Sequence, residues 1–203
     1  MITKTDTCKA FLVILLVNLC SCATVGSIRG SFRGSFRGSD NGNKSPFVYL
    51  TGNAKFVLLL PAEIEKNMDM AQYISASFAG QDYFFSSWVR ADEQGIDIAM
   101  LNEMGSAMGD LSYRNGTVSF SSGVFPEALK AEFIIADFQL CFYETLSLKK
   151  ALNECDLELS TQENFRRVYD GRKLIIEIER NPAFIRFRNF LRGYSYTING
   201  DFT

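Results

Sequence analysis

The 203-residue chain contains no histidine. It therefore lacks the side chain that most often moves protons near neutral pH and most often ligates transition metals. That absence argues against Ser–His–Asp hydrolysis and histidine-based zinc sites, though not against a mechanism built on carboxylates alone. Excess charge of one sign is missing too: 21 Lys+Arg against 23 Asp+Glu leave a formal net charge of -2. Nothing in that balance recruits nucleic acid. Long apolar runs are also lacking. The two most apolar stretches, residues 10–17 and 133–143, fall short of the roughly 20 residues that cross a bilayer as a helix. What the chain does have is phenylalanine, 18 of them in a sequence that is 47% hydrophobic, enough to fill the core of one domain. No cofactor or metal is expected.

Three of the five cysteines, Cys8, Cys20 and Cys22, fall in the first 22 residues. Around them lie Lys4 and Lys9, the apolar run, and then small residues, the outline of a secretory signal. Leu19-Cys20-Ser21-Cys22 resembles the lipobox of bacterial lipoproteins, in which the cysteine thiol is diacylglycerated and becomes the new N-terminus. Cys22 fits better than Cys20, because a small residue precedes only Cys22. An ordinary cleaved signal is the bland alternative. The resemblance implies a signal over residues 1–21 and lipidation at Cys22. Ala23 rather than Asp follows, which by the sorting rule of enterobacterial lipoproteins implies the periplasmic face of the outer membrane. Several acyl chains at ~0.8 kcal/mol per buried methylene hold firmly.

Residues 22–46 repeat Ser-x-Arg-Gly and are rich in Gly and Ser, a flexible tether with no core of its own. Its r.m.s. reach is roughly 25–30 Å. Arg29, Arg33, Arg37 and Lys44 against Asp40 make it net basic, and Ile28, Phe32 and Phe36 recur every four residues. A solvated spacer and a contact with an anionic membrane surface both fit that pattern.

Residues 47–203 read as one domain. Strands are predicted at 47–50, 55–60, 71–79, 82–91, 95–103, 111–113 and 117–121, with Asn115-Gly116 as the clearest hairpin turn. A short helix is predicted within 62–67. Residues 126–143, PEALKAEFIIADFQLCFY, read as a helix apolar on nearly every side, and 146–153 as a second helix. A helix of that kind, too short to span a membrane, must be covered by protein. Strands resume at 165–169, 173–180, 184–191 and 194–199. In 173–180, Leu174, Ile176 and Ile178 alternate with charged residues, and Ile175 breaks the alternation. The expected class is α+β: a curved antiparallel sheet, a half-open barrel, wrapped around a central apolar helix.

Leu59-Leu60-Pro61, Ile135-Ala136-Asp137-Phe138-Gln139-Leu140, Arg166 with Gly171, and Tyr194-Ser195-Tyr196-Thr197-Ile198 together form a pattern. It resembles a family of uncharacterised bacterial lipoproteins that is similar to the LolA/LolB lipoprotein carriers. The Trp-Pro usual after the Gln-Leu is replaced here by Phe142-Tyr143. The resemblance covers roughly residues 48–198. It implies an outer-membrane lipoprotein with a greasy cavity, and some members accompany genes for aryl-polyene-type lipids and their exporters.

Among candidate site residues, Asp137 and Gln139 stand inside the apolar helix, where a carboxylate is costly unless paired. Arg166 or Arg186 is the expected partner, tying helix to sheet. A catalytic role for Asp137 is the other reading, with no complementary base near it in sequence. Phe84, Trp88, Phe133, Phe138 and Phe142 are candidates to line a cavity, against the plain alternative that they are core. Cys141 and Cys155 could bridge, closing a loop of about 14 residues worth roughly 3 kcal/mol, or remain two separate thiols. The function expected is non-catalytic: a lipid-anchored protein sheltering or transferring a hydrophobic molecule or acyl chain. The alternative is an accessory lipoprotein docking on an envelope assembly such as export machinery, with no ligand.

Overall fold

The structure, a computed structural model, describes residues 45–78, 80–124 and 130–202. The signal, the tether up to residue 44, Cys22 and the first residues of the predicted central helix lie outside the described residues. Among the described residues, twelve strands, a 3-10 turn at Pro61–Glu63 and two helices follow in order. A small hairpin comes first, β1 (Phe47–Tyr49) with β2 (Lys55–Val57). Then β3 (Met68–Phe78), β4 (Gln81–Asp92), β5 (Gly95–Leu101), β6 (Ala107–Arg114) and β7 (Thr117–Ser121) form an antiparallel meander. Helices α1 (Ala131–Phe142) and α2 (Thr145–Asn153) intervene. A second meander follows: β8 (Leu157–Gln162), β9 (Phe165–Asp170), β10 (Lys173–Asn181), β11 (Phe184–Asn189) and β12 (Tyr194–Asn199).

Pairing of β12 with β3 fuses the two meanders into one curved ten-stranded antiparallel sheet. Its edges are β7 and β8, so the sheet is not closed. The helices are the connection between those two edge strands. The α+β class holds. One face carries the alternating apolar residues, among them Val89, Ile96, Leu111, Val168, Ile178, Ile185 and Phe187, all buried. Burying such a face at ~25 cal/mol per Å² is what holds the sheet to the helices.

Local chemistry explains several details. Asn115 and Gly116 both adopt positive φ (51° and 73°), as a two-residue type I′ turn requires. Ile175 interrupts the alternation of β10 because the register shifts between Leu174 and Ile176; both Ile175 and Ile176 are thereby buried. The segment predicted as a short helix at 62–67 is only the 3-10 turn, begun by Pro61 and ended by an extended Ile64 that bridges to Tyr143.

The two ends of the sheet differ. At the end where α1 begins, the β11–β12 turn exposes Phe190 and Leu191, the β5–β6 loop exposes Met104, and the chain leaving β7 exposes Val124. Phe78 pairs with Tyr194, so the β3–β4 turn lies beside the β11–β12 turn. At the opposite end the turns read Glu93-Gln94, Asn115-Gly116, Glu163-Asn164 and Pro182-Ala183, with no exposed large apolar side chain.

Candidate functional site

The residues singled out by sequence pattern converge on α1. Gln139 is fully buried and pairs with one backbone unit twice: its Nε2 donates to Leu59 O (2.7 Å) and its Oε1 accepts from Leu59 N (3.0 Å). A side-chain amide here replaces a strand neighbour for the chain leading to Pro61. Asp137, two residues earlier and so on another side of the helix, accepts a hydrogen bond from Tyr194 Oη (2.7 Å). Burial pushes its carboxyl up to about 7, and the Tyr194 bond and the Arg192 charge hold it from rising further. Tyr194 also receives Asn189 Nδ2 at 3.5 Å. Beside it Tyr196 Oη lies 4.0 Å from Cys141 Sγ. Tyr194, Phe187 and Tyr196 stack nearly parallel, with Phe187 and Tyr196 centroids 4.8 Å apart. Two tyrosines spaced i, i+2 on one strand face thus present their hydroxyls to two helix positions four apart, Asp137 and Cys141.

The expected pairing of Asp137 with Arg166 or Arg186 is not what is found. Arg166, only 3% exposed, holds the C-terminal end of α1 instead. Its Nη1 donates to the carbonyls of Leu140 (3.1 Å) and Cys141 (3.3 Å), and its Nη2 reaches Thr145 Oγ1 and Glu65 Oε2. A cation at the negative end of a helix, satisfying carbonyls that have no intrahelical partner, is favourable on both counts. Arg180 shares Glu65 at 2.7 Å. Arg186 lies on the other sheet face, paired with Glu179. The nearest guanidinium to influence Asp137 is that of Arg192, which donates to Tyr49 O (2.7 Å) and covers the Phe133 ring at 3.9 Å.

The five aromatic candidates separate. Phe138 and Phe142 are core, 4.7 Å apart, with Phe142 also against Phe202. Phe133 is half-buried under Arg192. Phe84 and Trp88 are exposed on the outer face of the sheet, opposite α1. They do not line an interior cavity, because period-2 alternation turns Phe85 and Val89 inward instead. Nor do Cys141 and Cys155 bridge: both thiols are free. Cys141 faces Tyr196 and Cys155 donates to Leu152 O at 3.2 Å. Burial pushes the Cys141 thiol up to about 12, so it is no nucleophile at neutral pH.

Sequence reasoning missed a second feature on the inner face. Towards the end where α1 begins, its residues are only half-buried: Ile74 and Ala76 on β3, Tyr83 and Phe85 on β4, with Phe133 and Ile134 on α1. This strip leads inward to Gln72 and Ser87, directly opposed across β3 and β4. They are 3% and 2% exposed, and Gln72 Nε2 and Ser87 Oγ find no hydrogen-bond partner among the described residues. Alternation in the Ala-Gln-Tyr-Ile-Ser run placed a polar residue on the apolar face, a visible signal. Two furrows, of about 400 and 450 Å³, are on the outer face. No metal-binding group of His, Cys, Asp or Glu exists among the described residues.

A family profile described as "Protein of unknown function (DUF3261)" matches residues 69–200. The chain belongs to the DUF3261 family. That match runs from the start of β3 to the end of β12 and contains the α1 constellation except the partners Tyr49, Leu59, Glu65 and Phe202. No curated protein matches the sequence.

Proposed function

We propose that the protein is a lipid-anchored lipoprotein of the outer membrane that shelters an amphiphile against its inner sheet face, without catalysis. One observation carries this reading: a half-buried apolar strip that ends on two buried, unpartnered polar groups, Gln72 Nε2 and Ser87 Oγ. Leaving such groups unpaired costs about 1–3 kcal/mol each. An acyl chain laid along Ile74, Ala76 and Phe85, with its carbonyl or hydroxyl at Gln72 and Ser87, would satisfy both and remove apolar area from water at ~25 cal/mol per Å². The exposed apolar loop residues Met104, Val124, Phe190 and Leu191 lie at that same end of the sheet and suit exchange of such a molecule with a lipid phase. The sheet as a half-barrel sleeve for α1, similar to the LolA/LolB carriers, is part of the same proposal. So are cleavage before Cys22, acylation of its thiol and the tether of residues 22–46.

The test is displacement of a fluorescent fatty acid by unlabelled acyl chains, comparing the parent protein with Ala76→Phe. The larger side chain fills the strip without charging it. Saturable binding to the parent, weakened at least tenfold by Ala76→Phe, supports the proposal; equal binding, or none, ends it.

A further inference from the structure

The outer face of β3 and β4 carries three large rings that the inner-face site does not use. Tyr73, Phe84 and Trp88 are 66%, 59% and 50% exposed. Trp88 stands opposite Ala71, Tyr73 opposite Ser86 and Phe84 opposite Ser75. The rings therefore zigzag along two strands, Phe84 and Trp88 about 13 Å apart at ~3.3 Å per residue with Tyr73 between them. Small residues separate them, and none touches another ring among the described residues. Trp88 is locked in place: its indole N–H donates to Asp69 Oδ1 (2.8 Å), and Asp69 Oδ2 is held by Arg90 Nε and Nη2 (3.2 and 3.0 Å). Its polar atom is already satisfied, so its ring face is free for an apolar surface.

A furrow flanks this ridge on each side. The first, about 400 Å³, has Ser75, Ser77, Ser195 and Thr197 as its floor, between Phe84 and the paired guanidiniums of Arg186 and Arg188. The second, about 450 Å³, is floored by Ala99, Ser112, Ser119 and Ser121 beside Trp88. Each holds one carboxylate, Asp82 or Asp110, that forms no ion pair among the described residues. Charge and spacing select the partner. The aspartates of this face, Asp69, Asp82, Asp97 and Asp110, are offset by Arg90, Arg114, Arg186 and Arg188, so no single sign of charge is there to draw an anionic bilayer or nucleic acid. Rings isolated by serines do not make the continuous desolvated centre of a protein hot spot. Separate planar faces alternating with hydroxyls and carboxylates match a chain that is itself alternately C–H face and hydroxyl edge.

We propose that this face binds an extended, neutral β-1,4-linked glycan strand, its pyranose faces on Phe84, Tyr73 and Trp88 and its hydroxyls in the two furrows. Trp88 is the only tryptophan of the chain, which makes its emission a direct reporter. The experiment titrates the full-length protein, in a mild detergent, with chitohexaose and follows that emission. A saturable change is expected, weakened at least tenfold in Tyr73→Ala and Phe84→Ala, both of which keep the reporter. Their thermal unfolding should match the parent because both side chains are exposed. No saturable change at millimolar chitohexaose, or an undiminished change in both variants, overturns the proposal. So does a response to phosphatidylglycerol mixed micelles in place of the sugar.

Discussion

Replacing Asp137 by Asn should make the protein more stable at neutral and alkaline pH while changing nothing near pH 4. The Asp137 carboxyl is pushed from 3.8 up to about 7 by burial. Below pH 3.8 it is neutral in both the folded and unfolded chain and costs nothing. Between about pH 4 and 7 the unfolded chain releases the proton while the folded chain keeps it, so stability falls as pH rises. About three pH units at 1.36 kcal/mol each give a loss of about 4 kcal/mol, complete above pH 7. Asparagine removes the titration and still offers a carbonyl oxygen to Tyr194. Urea unfolding of parent and Asp137→Asn at unit steps from pH 4 to 8 reads the difference directly, with m-values checked for constancy. The two curves should coincide near pH 4 and diverge in favour of the variant by about 2–4 kcal/mol at pH 8. A difference that does not change with pH, or a variant less stable than the parent at pH 8, refutes the reasoning that burial dominates the Tyr194 and Arg192 contributions.

Other outcomes follow from the same geometry. Arg166→Met strips the end of α1 of its cation and leaves Glu65 to Arg180 alone; unfolding should cost about 3 kcal/mol less in urea titration. Gln139→Leu leaves the N–H and carbonyl of Leu59 without their partner, for a loss of about 2–4 kcal/mol by the same assay. Thiol titration should find Cys141 and Cys155 both free, with Cys141 reacting only after denaturant is added. Cys22→Ser should abolish labelling by radioactive palmitate and release the protein from the membrane fraction.

Much of the architecture was legible because period and turn chemistry agree along the chain. Asn115-Gly116, Asp170-Gly171 and Asn181-Pro182 mark turns that the structure keeps, and α1 is found within the predicted span with a predominantly buried surface. Strand β8 was not legible. Leu157 and Leu159 alternate correctly, but two apolar residues before Gln162-Glu163-Asn164 are too short a signal beside a helix end. Phe84 and Trp88 misled for a different reason: size suggests an interior, yet their parity on β4 is opposite to that of Val89 and Ala91, which are buried. Parity is the stronger rule for a sheet with one solvated face. The partner of Asp137 was hidden because burial favours a hydroxyl from the same apolar layer over a guanidinium. Tyr194 lies 57 residues away in sequence, and only the β12–β3 pairing places it under α1.

The claim on which the account stands is that the inner face between Ile74 and Phe85 holds an amphiphile whose polar end meets Gln72 and Ser87. Native mass spectrometry of Cys22→Ser protein purified from cells without detergent tests it. The account predicts discrete added masses of an acyl-chain compound, lost when Ala76→Phe is introduced into the same protein. A single unliganded mass for both proteins would contradict it.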